Sequence, residues 1–95
     1  MDLEELKRLA ASTLAKAIGD ILGNVSADVE KFGEELAGKL VEYASTNNTA
    51  GVTITLARIQ MLGERHRIKV NDTAWDTLNA ISKALFRFLV GVIKL

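Results

Sequence analysis

The chain has 95 residues, no cysteine and no proline, 48% apolar side chains and twelve residues of each charge sign. This length fits one domain that buries a core without a disulfide or a metal, and the missing thiols exclude disulfide frameworks and thiolate zinc or iron–sulfur sites. The acidic start Met1-Asp2-Leu3-Glu4-Glu5 lacks the order of a secretory signal, and no run reaches the roughly 20 apolar residues of a membrane-spanning helix, so a cytoplasmic setting is expected.

Asp2 stands before Leu3 as an N-cap, with Glu5 three residues on at capping-box spacing. Leu3, Leu6, Ala10, Leu14, Ala17 and Ile21 recur at three- and four-residue steps, which is one face of a helix. They predict a helix over 2–22, ended by Gly23-Asn24. Glu4 is placed four residues before Arg8 for an ion pair. Ser26 caps a second helix over 26–45, with Asp28 in its first turn and a stripe of Val29, Phe32, Leu36, Leu40 and Tyr43. Gly33 and Gly38 each lower its helix propensity by about 1 kcal/mol relative to Ala, which predicts a neighbouring backbone packed against them. Ser45-Thr46-Asn47-Asn48 reads as a loop.

Val52-Thr53-Ile54-Thr55-Leu56 alternates like a strand. Val52, Leu56, Ile59 and Gly63 nevertheless continue at helical spacing, with Ile54, Ala57 and Met61 on a second side. The longer pattern favours a helix over 50–66, with short strands as the alternative, and an extended connector from Arg67 to Val70. Asn71 caps the last helix, 72–95, and Val70 with Trp75 has the spacing of a hydrophobic staple.

In that last helix Leu78, Ile81, Leu85, Phe86, Phe88, Leu89, Val90, Val92, Ile93 and Leu95 cover well over half the circumference. Asp76, Lys83, Arg87 and Lys94 fall in a narrow stripe, beside a strip of small residues: Thr77, Ala80, Ala84 and Gly91. Each Leu, Ile or Phe left in water forgoes about 1.5–3 kcal/mol. The last helix is therefore expected to be the most buried one, or to turn a second side to another molecule. The assignment is an all-α bundle of about four helices in a single domain, 1–95.

Chemistry-bearing patterns are sparse. Gly33-Glu34-Glu35-Leu36-Ala37-Gly38-Lys39-Leu40 nearly matches a phosphate-binding loop, but Leu40 lacks the magnesium-binding hydroxyl and no strand precedes the glycines. His66, the only histidine, has Leu62, Gly63, Lys69 and Val70 at helical spacing, none of them a metal ligand, and reads as structural. The pairs Glu4/Glu5 and Glu34/Glu35 are expected on solvated faces rather than in the desolvated cleft that acid–base catalysis needs. No catalytic residue, metal, cofactor or small-molecule substrate is assigned.

Residues 1–48 carry nine acidic and five basic side chains, and residues 49–95 carry three and seven, so the halves bear −4 and +4. Opposite halves attract within the bundle or between protomers laid head to tail. The mean hydropathy of +0.16 is high for so small a chain and points to apolar surface that meets a partner. The leading expectation is a non-enzymatic structural or protein-interaction bundle, either a homo-oligomer or a subunit of a larger assembly. Its contact would be made by Ala80, Ala84, Phe86, Phe88, Gly91 and Ile93. The alternatives are a nucleic-acid module using the candidate anion-binding residues Arg58, Arg65, Arg67 and Lys69, and membrane-surface association through the last helix. In its small size, lack of Cys and Pro, capped start and apolar final helix, the chain resembles small phage-encoded accessory or virion proteins. That resemblance implies a helical assembly subunit and assigns no residue a role.

Overall fold

A computed structural model describes residues 2–23 and 26–94; Asn24 and Leu95, given roles above, lie outside them. Among the described residues there are five α-helices and no strand: α1 (Leu3–Leu22), α2 (Ala27–Ser45), α3 (Thr49–Ala57), α4 (Ile59–Arg65) and α5 (Asp72–Lys94). The all-α assignment holds, and the single helix expected over 50–66 is two.

The predicted caps are in place. Asp2 Oδ1 accepts from the Glu5 N–H at 2.8 Å, Ser26 Oγ from Val29 at 3.3 Å and Asn71 Oδ1 from Ala74 at 2.9 Å. Gly23 closes α1 at φ 79°. Glu4, however, reaches Lys7 at 3.7 Å rather than Arg8; on an exposed first turn the two spacings differ by little energy.

α1 folds back on α2 in the most extensive helix contact of the bundle. Leu6, Ala10, Leu14 and Ile18 share one core with Val29, Phe32, Leu36 and Leu40. Gly33 brings the two backbones together: a Cβ there would lie 3.0 Å from the Ala15 nitrogen and 3.3 Å from the Ala11 carbonyl oxygen. Around Gly38 the space is open, so the predicted close approach holds at Gly33 and not at Gly38. The phosphate-loop look-alike lies wholly inside α2.

The centre of the molecule is α2, not the last helix. α2 touches all four others and buries Val29, Phe32, Leu36, Ala37, Leu40, Val41 and Ala44. α5 turns Trp75, Leu78, Ser82, Phe86 and Leu89 inward and leaves Thr77, Ala80, Ala84, Phe88 and Gly91 exposed. The reason is length. α5 has 23 residues, about 34 Å of helix, whereas α3 and α4 have only nine and seven and cannot cover its outer side.

Those two short helices are made by threonines. Asn48 Oδ1 accepts from the Gly51 N–H at 2.8 Å and starts α3. Thr53 and Thr55 then donate their hydroxyls to the carbonyls of Thr49 and Gly51, both at 3.0 Å. Such back-bonding bends helices, and the chain breaks at Arg58, whose N–H is shared between Ile54 and Thr55 at 3.1 Å. The predicted face survives the break: Val52, Leu56, Ile59 and Gly63 are buried, and Ile54, Ala57 and Met61 are exposed.

α2 and α4 end alike. Asn48 and Asn47 donate to the carbonyls of Tyr43 (2.8 Å) and Ala44 (3.2 Å); Ile68 and Arg67 donate to Gly63 (2.8 Å) and Glu64 (3.0 Å). This crossed pair requires a left-handed residue, supplied by Asn47 at φ 55° and Arg67 at φ 63°. The second closure turns the chain so that Ile68 enters the core.

Candidate functional site

The outward side of α5 follows from its inward one. With Trp75, Leu78, Phe86 and Leu89 packed on the core, the helical turn carries Ala84, Phe88 and Gly91 to the opposite surface. Phe88 is 52% exposed, and Leu9 on α1 is 48% exposed. Together with Leu6, Ala10, Thr13, Leu85 and Leu89 they line an open groove of about 410 Å³ less some 120, that is about 290 Å³, between α1 and α5. Along the other flank of α5, Leu56, Ala57, Asp76, Asn79, Ala80 and Lys83 line a second groove of about 410 Å³. The exposed ridge of α5 stands between the two.

No family model, curated protein or solved structure matches this chain. The chemistry of the surface is therefore read from its own residues.

Of the six contact residues expected on the last helix, Ala80, Ala84, Phe88 and Gly91 are exposed. Phe86 is 9% exposed and belongs to the core, and Ile93 is half-buried against it; neither is free for a surface contact. Leu9 and Leu85 line the groove without having been singled out in the sequence. Leu9 carried a signal, since it is a leucine off the core stripe of α1 on an otherwise polar arc.

A second cluster ties the end of α4 to α2. Arg65 Nη1 donates to Glu35 Oε1 at 2.6 Å, and His66 Nε2 donates to Glu35 Oε2. Phe32 meets the His66 ring edge-on at 6.1 Å between centroids and the Trp75 indole at 6.4 Å. Glu35 is thus a half-buried clamp residue rather than part of a solvated face, because the closure of α4 swings Arg65 and His66 over α2. The hydrogen bond from His66 holds the Glu35 carboxyl below its ordinary range; partial burial opposes this, and the charges of Arg65 and Lys39 assist it.

A carboxyl depressed in the folded state stabilises above its unfolded pKa, and that contribution is lost as pH falls through the folded value. Wild-type protein should therefore lose more stability than Glu35→Gln as pH drops below about 4.5. At neutral pH the variant should be about 1 kcal/mol less stable, read from urea midpoints. Parallel pH profiles for the two proteins would show that the clamp contributes nothing.

The candidate anion-binding residues do not converge. Arg58, Arg65, Arg67 and Lys69 are all exposed, but Arg58 sits at the α3–α4 break, about 10 Å along the helix from Arg65, and Arg65 is engaged by Glu35. Among the described residues, no helix is long and apolar enough to cross a membrane.

Proposed function

We propose that this protein is a non-enzymatic helical module that self-associates, alone or within a larger assembly, through the outward side of α5 and the adjoining edge of α1. Phe88 carries this reading: an aromatic ring stands half in water on a groove otherwise walled by aliphatic carbon and the Thr13 side chain. Fully covering such a ring is worth about 1.5–3 kcal/mol, and Leu9 beside it adds a comparable term. Interface cores are rich in aromatic residues and poor in charge, and the line Ile81, Ala84, Phe88, Gly91 contains no charged residue. Zero formal net charge removes the long-range repulsion that keeps strongly charged copies apart.

Size-exclusion chromatography with light scattering, run over a concentration series, tests this directly. The wild type should exceed the monomer mass at high micromolar concentration. Phe88→Glu should return it to the monomer with unchanged helical circular dichroism. A wild type that stays monomeric throughout the series sinks the self-association.

A further inference from the structure

The outer side of α5 holds two interleaved series of residues seven apart. Thr77, Ala84 and Gly91 form one and are exposed; Ile81 and Phe88 form the other, half-buried and exposed respectively. Steps of four and three alternate along 77, 81, 84, 88 and 91, which is the spacing of a coiled-coil seam. One series is small throughout and the other large. A Cβ added at Gly91 would meet nothing within 4 Å, so the chain itself leaves this small position vacant on its outer side.

From this alternation we infer that the occupant of the seam is a second copy of α5 running antiparallel to the first. The inference rests on the self-association proposed above and specifies its geometry. In a parallel pair each series meets itself: Phe88 crowds Phe88, and Ala84 faces Ala84 across a gap. Reversing one helix lays the large series on the small one, with Phe88 over the partner copy's position 84 and Ile81 over its position 91. Every layer then contains one large and one small side chain, which is how close-packed interfaces fill space.

The charges agree with this direction. Asp72 and Asp76 lie near the start of α5, and Lys83, Arg87 and Lys94 lie in its second half. Antiparallel pairing sets the acidic end of one copy near the basic end of the other, whereas parallel pairing sets like on like. Near the two-fold axis the two Arg87 side chains fall on the same side, so added salt should tighten rather than weaken the dimer. From Thr77 to Gly91 the seam is about 21 Å long. It belongs with small, transient interfaces, and micromolar affinity is expected.

The test uses Gly91→Leu and the double variant Ile81→Ala/Gly91→Leu in light scattering at several concentrations, with thermal melts on the same samples. Gly91→Leu has room in the single chain and should melt no lower than wild type. It should weaken association by at least about 100-fold, because the partner's Ile81 enters that space in two symmetric layers. Adding Ile81→Ala reverses large and small within the layer and should restore the dimer; only antiparallel pairing puts positions 81 and 91 together. A wild-type dimer that Gly91→Leu leaves intact, or that the double variant fails to restore, overturns the antiparallel seam while self-association stands. A wild type that never dimerises overturns both.

Discussion

Replacing Gly63 with alanine should lower stability by about 3 kcal/mol, the top of the usual range for overpacking. In a domain of this size that moves the melting temperature down by roughly 12–24 °C. A Cβ at position 63 would stand 2.1 Å from Cη2 and 2.9 Å from Cζ3 of Trp75, well inside any contact distance. The indole has little freedom to yield. Phe32 meets it edge-on, and the space among Ile18, Ile21, Ile68, Val70 and Leu78 beside it amounts to about 10 Å³, less than a methyl group needs. Gly91→Ala is the matching control: the same exchange in open space should be neutral or gain up to about 1 kcal/mol of helix propensity. Equal melting temperatures for the two variants would mean that Trp75 does not lie against α4.

Phe32→Ala should be more damaging still, at about 3–5 kcal/mol. That is a large share of the 5–15 kcal/mol available to a typical domain. Phe32 is fully buried and supports both Trp75 and His66, so its loss opens a cavity where α2, α4 and α5 meet. Trp75 is the only tryptophan, which makes the change visible: its emission should shift to the red while the urea midpoint falls. A midpoint within experimental error of wild type would rule out Phe32 as the central packing residue.

The helices were legible because their signals are local. Asp2, Ser26 and Asn71 each meet a backbone N–H three residues ahead, and the stripe Val52, Leu56, Ile59, Gly63 identifies its own period despite β-branched neighbours. The break at Arg58 was less visible, since it depends on how Thr53 and Thr55 spend their hydroxyls. Which helix is central was not legible at all. Apolar girth made α5 the candidate, but α2 holds the centre because it is the helix that every other element touches. The Glu35 clamp was hidden for the same reason: its partners lie thirty and thirty-one residues away. For the surface of α5, sequence narrowed the candidates to one helix, and packing then withdrew Phe86 and Ile93 and added Leu9 and Leu85.

The broad contact between α1 and α2 also bears on how the chain folds. Its two halves are adjacent in sequence, joined by residues 23–26, so bringing them together closes a very short loop at small entropic expense. A helical hairpin of this kind can gather early and offer α5 a template when the later segments arrive. With no proline anywhere, nothing should hold refolding back to the tens of seconds that prolyl isomerisation imposes.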